Sequence, residues 1–210
     1  MKLNNIIEED YFSRSNLINY LIGLYGYKSY LEIGVNNGEN FEKIECSYKV
    51  GVDPSNNYDK VTFNITSDDF FAQNKDTFDI IFIDGSHISD QAIIDIKSSL
   101  EVLNPKGTIV MHDCLPPHEG AQLQEQTQDH WNGDVWKAFA YFRAYSDLTM
   151  FTIFTDHGLG IIKKGNQVPY KLPSTLDWEY LSKNGRELMN IQQSVSNALK
   201  LINSLHESGL

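Results

Sequence analysis

Hydrophobic and polar positions alternate between a helical period and short continuous apolar runs. Over residues 11–27, Leu17, Ile18, Leu21, Ile22 and Leu24 recur at helical spacing, with Ser13 or Ser15 as the cap. The apolar run at 30–35 predicts a buried strand, broken by Asn36-Asn37-Gly38. A short helix at 39–45 leads to a second strand at 49–52, which ends in Asp53-Pro54. A third strand is expected at 61–65, followed by a helix-like segment at 67–71. The fourth strand, at 78–83, ends in Asp84-Gly85-Ser86-His87. Ala92, Ile93, Ile96, Leu100 and Leu103 then form one apolar stripe of a helix that Asn104-Pro105-Lys106-Gly107 stops. A fifth strand at 108–111 ends in His112-Asp113.

Strands of unbroken apolar character alternating with helices predict a doubly wound, mainly parallel sheet covered on both faces. After a polar stretch at 116–128, a helix is expected at 134–145. Strands at 148–154 and 159–163, joined at Thr155-Asp156-His157-Gly158, read as an antiparallel hairpin. The expected class is therefore α/β, with seven strands and a C-terminal hairpin closing the sheet. The tail at 176–205 reads as one helix, with Leu188, Ile191, Val195, Ala198, Leu199 and Ile202 on one side. The expected division is a main domain at 1–175 and a helical extension at 176–210. The extension's stripe needs a partner, either the domain itself or a second subunit in a homodimer.

Composition narrows the class. With 41% hydrophobic and 21% charged residues the chain can build a core, so a disordered or fibrous protein is excluded. Lys plus Arg number 17 against 28 Asp plus Glu, a formal charge of −11, and no Lys/Arg run occurs. Nucleic acid is therefore a poor partner. The first ten residues have no apolar leader core, and runs such as Ile80-Ile81-Phe82-Ile83 are too short to span a bilayer. Only Cys46 and Cys114 are present, which fits a reducing compartment, and the expected location is the cytoplasm. Secreted, membrane and nucleic-acid-binding classes are all demoted.

Five constellations carry candidate chemistry. In Glu32-Ile33-Gly34-Val35-Asn36-Asn37-Gly38 the glycines let the chain bend and a ligand approach the backbone. The carboxylate beside them suits a cationic amino-acid end, and an ordinary tight turn is the competing explanation. Asp53 can accept both hydroxyls of a ribose, or can simply form the turn before Pro54. Ser67 and Asp68 can meet an adenine edge or cap a helix. Asp84 with His87, and His112 with Asp113, bring two carboxylates and two imidazoles to the carboxyl edge of neighbouring strands. Asp84, Asp113 and either histidine suit a divalent metal, or one histidine suits proton removal from a hydroxyl. Lastly, Trp131, Asp134, Trp136 and Lys137 can stack on and bind a sugar ring, or can begin a helix packed on the sheet.

The motifs Leu31-Glu32-Ile33-Gly34-Val35-Asn36-Asn37-Gly38, Gly51-Val52-Asp53-Pro54, Phe82-Ile83-Asp84-Gly85-Ser86-His87 and Gly107 to Cys114 resemble class I S-adenosylmethionine-dependent methyltransferases. In particular they resemble the small bacterial group related to macrolide-sugar and catechol-type O-methyltransferases. The resemblance covers residues 27–163. It implies that Glu32, Gly34 and Gly38, with Asn36 between them, surround the methionine end of the cofactor. It further implies that Asp53 binds the ribose and that Asp84 lies beside the methyl donor. In metal-dependent relatives the strand-end residues hold Mg²⁺, and the matching positions are Asp84, His112 and Asp113. His112 departs from the carboxylate or amide usual there, which implies a different divalent metal, or a catalytic base with no metal.

The expected activity is O-methylation of a sugar or other small hydroxylated substrate. An NAD-dependent oxidoreductase shares the sheet and the ribose carboxylate, but the Gly-x-Gly-x-x-Gly fingerprint is missing. A non-catalytic adenosyl-binding module would keep the first two motifs and make the His/Asp pairs dispensable.

Overall fold

The computed structural model describes residues 12–210, so the leader reading of the first ten residues lies outside them. Helix α1 (Arg14–Tyr25) starts where the Ser13 side chain accepts the Asn16 N–H and stops at left-handed Gly26. The strands follow as β1 (Ser29–Ile33), β2 (Tyr48–Val52), β3 (Phe78–Ile83), β4 (Leu103–Met111), β5 (Leu148–Ile153), β6 (Leu159–Lys164) and β7 (Ile191–Gln192). Between and after them run α2 (Glu39–Lys43), α3 (Ser67–Gln73), α4 (Ser89–Val102), α5 (Trp136–Phe142), α6 (Trp178–Leu188) and α7 (Val195–Glu207).

The seven strands form one sheet in the order β2-β1-β3-β4-β6-β5-β7. Strand β6 runs antiparallel to β4 and β5, and every other pairing is parallel. The expected mostly parallel sheet with a hairpin is thus present. Alternate residues serve opposite layers. Leu31, Ile33, Ile81, Ile83 and Ile109 join one core, while Tyr30, Ile80, Phe82 and Val110 join the other. That double burial explains why these strands read as unbroken apolar runs. No described helix is long and apolar enough to cross a membrane.

Three expectations need correction. Residues 61–65 form no strand, only a single bridge between Val52 and Phe63. Thr62, Phe63 and Asn64 are exposed there, and side chains supplement the two backbone bonds that Phe63 makes with Gly51 and Asp53. The Thr62 hydroxyl accepts the Gly51 N–H, and the Asn64 amide donates to the Asp53 carbonyl. Strand β4 begins at Leu103 rather than 108, and its register jumps from Phe78–Leu103 to Ile80–Thr108, so residues 104–107 form a bulge. The tail is not one helix. It breaks at left-handed Asn190, whose amide donates to the Met150 carbonyl, and β7 then pairs with β5. Ser194 caps the helix that follows.

The seventh strand therefore comes from the tail. On α7, Ala198, Leu199 and Ile202 are buried in the same cluster as Leu17 and Ile18 of α1. The Tyr20 hydroxyl donates to Asn203 of α7 across that contact. The stripe for which a second subunit was one expectation is covered by the chain itself.

The pairing of Ile33 with Ile83, and of Ile83 with Met111, aligns the carboxyl ends of β1, β3 and β4. Gly34, Asp84 and His112 therefore emerge side by side, where open α/β sheets bind ligands.

Candidate active site and cofactor cleft

A cleft of about 1100 Å³ lies along this edge. A smaller recess of about 360 Å³ adjoins it, and Arg14, Gly34, Asn36 and Asp84 line both. Gly34 has φ +88°, and a Cβ there would sit 2.0 Å from the Asp84 carbonyl oxygen. Only glycine lets β1 pass the end of β3 so closely. Asn36 takes a left-handed φ of 48°, which aims its N–H at Asp53 Oδ2, 2.7 Å away. Asp53 Oδ1 accepts the Ser55 N–H at 2.7 Å. Each oxygen of this buried carboxylate thus has one backbone donor and a free lone pair at the cleft wall. Gly38 opens α2 as its left-handed cap.

Glu32 lines the smaller recess and is 1% exposed. The Tyr30 hydroxyl and the Asn40 amide both donate to its Oε2, the latter at 3.0 Å. Burial pushes the Glu32 carboxyl up to about 8, although those two donors favour its charged form. At the other end of the cleft, Ser67 and Asp68 open α3, where the cap is Thr66 rather than Ser67. Gln91 of α4 donates to Asp68 Oδ1 at 3.0 Å and to Asp95 Oδ1 at 3.1 Å, tying this wall together.

The centre of the cleft gathers four donors. Asp84 Oδ1 lies 3.3 Å from His112 Nδ1 and 3.8 Å from His87 Nε2. Asp113 Oδ2 lies 3.1 Å and 3.4 Å from the same two nitrogens. One donor atom each from Asp84, His87 and Asp113 lie within 4.8 Å of one another, the spacing of a metal-binding group. His112 Nδ1, though close to both carboxylates, is aligned as a hydrogen bond with neither, and this buried nitrogen has no other partner among the described residues. Asp113 holds its place in a left-handed conformation, φ 59°, with Asn132 donating to its Oδ1 at 3.0 Å.

Asp156, in the β5–β6 turn, supports the cluster from behind. His112 Nε2 lies 3.3 Å from its Oδ1. Arg14 reaches both of its oxygens and also places a guanidinium nitrogen 2.7 Å from Asp84 Oδ2. Burial disfavours the Asp84 carboxylate, but His112 and Arg14 override it and pull the group down to about 2. Asp156 is likewise held well below the carboxylate range, against its burial, by His112 and Arg14. Burial also opposes charge on His112, yet Asp84, Asp113 and Asp156 hold it well above the usual histidine range.

Arg14, Asp156, Gln91 and Asn132 were not singled out in the sequence. The one local signal for Asp156 is its place in a turn where Asp156, His157 and Gly158 all take positive φ.

Of the four expected sugar contacts, only Trp131 lines the cleft, stacked on His87 with ring centroids 4.4 Å apart. Trp136 is fully buried and donates to Gln122. Asp134 is buried too, accepting the Ser89 N–H at 2.7 Å, with Lys137 paired to it at 3.2 Å. Asp134 ties this segment to Ser89 of α4, Trp136 packs in the core, and no two-indole platform forms among the described residues. Gly133, φ +64°, lets that segment touch the His87 carbonyl, 2.0 Å from where its Cβ would stand.

The middle of this edge, from Asp53 through β3 and β4 to Cys114, has a match in sequence. Residues 53–114 match a family model described as a methyltransferase domain. The fold is that of the class I methyltransferases. A methyltransferase from Podospora anserina, solved with S-adenosylhomocysteine (SAH), is 16% identical with a TM-score of 0.55, covering 73% of this chain and 78% of its own. An O-methyltransferase of Streptomyces achromogenes involved in tomaymycin synthesis, solved with S-adenosylmethionine (SAM), is 14% identical with a TM-score of 0.53. That match covers 73% of this chain and 80% of the other. An O-methyltransferase from Bacillus cereus in complex with SAH is 17% identical, with a TM-score of 0.50 and coverage of 76% and 83%. No curated protein matches the sequence. In this fold Glu32, near the end of β1, lines the recess, Asp53 after β2 lines the cleft, and Asp84 after β3 lines both.

Proposed function

We propose that this chain is a SAM-dependent O-methyltransferase for a small hydroxylated acceptor, assisted by a divalent cation. The observation that carries the reading is the meeting of Asp84, Asp113, His87 and His112 beside a cleft whose far wall ends in Asp53. In this reading the recess at Glu32 and Asn40 holds the amino-acid end of the cofactor. Asp53, already anchored by two backbone donors, keeps a lone pair on each oxygen for the ribose hydroxyls. Ser67, Asp68 and Gln91 border the base. When bound, SAM supplies a sulfonium methyl group open to in-line displacement by an oxygen nucleophile.

The cluster fits a metal on its own chemistry. Asp84 and Asp113 offer oxygens, and the orphaned His112 Nδ1 offers a nitrogen. Asp156 on the opposite ring nitrogen is the carboxylate–histidine support that metal-ligating imidazoles characteristically have. The mixed nitrogen and oxygen set favours a first-row ion such as Mn²⁺, Fe²⁺ or Zn²⁺ over all-oxygen Mg²⁺. When bound, the cation supplies Lewis acidity that lowers the pKa of an acceptor hydroxyl.

The protein's own groups position the acceptor and take its proton. His87 is more exposed than His112, 21% against 5%, and faces the cleft under Trp131. Its Nε2 is the place for the acceptor proton, leaving His112 as the ligand. Arg14 and Trp131 line the cleft on either side of the cluster and bound the acceptor's space. The sugar expectation rested on the Trp131 and Trp136 pair; with Trp136 buried, the acceptor is assigned only as a small hydroxylated molecule.

The test is transfer of labelled methyl from SAM to a panel of catechols and free sugars, with Mn²⁺ or with chelator. Label in an acceptor ether that is lost on chelation and in Asp113→Asn supports the reading. No transfer to any member under either condition, from protein that binds SAH, counts against it.

A further inference from the structure

A second groove, about 810 Å³, opens beside the cleft, and His130 and His157 line both. It runs between the Pro116–Pro117 loop, the β5–β6 turn and helix α6. Its walls carry Phe154, which is 67% exposed, with Trp178, Leu181 and Ile191. An exposed phenylalanine in one groove with an indole and aliphatic side chains makes a contiguous apolar wall of the kind that marks a binding groove.

The charges around this groove are nearly all engaged elsewhere. Asp156 is bound by Arg14 and His112. Lys183 is paired to Glu179 at 2.5 Å, and His118 Nδ1 accepts the Ala121 N–H. Arg186, on the exposed side of α6, lines the groove and makes no ion pair or side-chain hydrogen bond among the described residues. In a chain of net charge −11, this groove carries two cations, Lys183 and Arg186, against the single carboxylate of Asp156, which Arg14 already binds.

We propose that this groove takes the remote portion of the methyl acceptor, an apolar or aromatic body ending in an anionic group. The body lies against Phe154 and Trp178, and the anion, a carboxylate or sulfonate, pairs with Arg186. Continuity through His130 and His157 then leads the reacting hydroxyl to the Asp84–His87–Asp113 cluster. The proposal rests on the methyl-transfer reading of the adjoining cleft. Arg186 is a specificity residue here, lining the groove and not the cleft that holds the cluster, and a guanidinium suits planar anions better than an ammonium does.

The probes are 8-anilinonaphthalene-1-sulfonate and its uncharged relative N-phenyl-1-naphthylamine, titrated by fluorescence into the whole chain with and without saturating SAH. The wild type binds the sulfonate at micromolar concentration in both conditions. Arg186→Ala weakens the sulfonate at least tenfold and leaves the uncharged probe within twofold, whereas Phe154→Ser weakens both. Thermal midpoints within a few degrees of wild type establish that both variants are folded. SAH affinity, measured separately by calorimetry, is unchanged in both. Equal binding of the sulfonate by wild type and Arg186→Ala overturns the proposal, as does a wild type that binds neither probe. A dimer in gel filtration that the probe dissociates also overturns it, by assigning the groove to a second copy. A wild type that fails to bind SAH refutes the methyltransferase reading instead, and the probe comparison still stands.

Discussion

Replacing Glu32 with Gln tests whether the recess is as dry as its geometry requires. Glu32 is 1% exposed, and burial lifts its carboxyl from an ordinary 4.5 to about 8. Because the folded protein holds this proton more tightly than the unfolded chain, the contribution to stability is complete below about pH 4.5. It is lost progressively as pH rises toward 8 and is constant beyond. At about 1.4 kcal/mol for each pH unit, ionised Glu32 costs the wild type about 5 kcal/mol above pH 8. That is a large part of the 5–15 kcal/mol typical of a domain. The amide introduced by Glu32→Gln cannot ionise, yet its oxygen still accepts from Tyr30 and Asn40. Urea unfolding at pH 5, 7 and 9 reads the outcome. The two proteins should be nearly equal at pH 5, and Glu32→Gln should be more stable by several kcal/mol at pH 9. A difference between them that stays constant from pH 5 to 9 would refute the buried, protonated carboxyl.

The same protonation couples to the ligand. If the cationic end of the cofactor sits on Glu32, binding SAH at pH 7 releases close to one proton, and affinity rises with pH up to about 8; calorimetry in two buffers of different ionisation enthalpy measures it. Asp53→Ala removes a charge-assisted acceptor and should weaken SAH by about 1.5–3 kcal/mol, while an unchanged dissociation constant rejects the ribose assignment. Asp156→Asn should lower Mn²⁺ affinity about 10–100-fold through His112, with no contact between Asp156 and the ion. His87→Asn should keep both SAH and Mn²⁺ binding and lose about 10²–10⁴-fold in turnover, whereas His112→Asn should lose Mn²⁺ itself; the reverse pattern exchanges their roles.

Much of the fold is local and so was legible. Continuous apolar strands at Leu31, Ile81 and Ile109 announce double burial, and the residues that follow them fall at one sheet edge by register alone. Asp53 and Asn36 are 17 positions apart, yet they follow the adjacent parallel strands of one strand–helix–strand unit, which brings them to 2.7 Å. Long-range pairings carry no such pattern. Arg14 and Asp156 are 142 positions apart, and nothing in the spacing of either announces the other. The break at Asn190 hid because Leu188, Ile191 and Val195 keep helical spacing across it, although Ser194 is a cap in plain view. Trp136 misled for a different reason. An indole beside Asp and Lys has the same pattern whether it greets a sugar or packs under a lid, and only burial separates the two.

The central claim is that the cleft from Glu32 to Asp113 takes an adenosyl amino-acid cofactor. The most direct measurement is calorimetric titration of the wild type with SAH, with NAD as the control and Mn²⁺ present or absent. The account predicts micromolar SAH binding at one site per chain and no heat with NAD. Binding of NAD with none of SAH would contradict it, and would assign the Asp53 carboxylate to a dinucleotide.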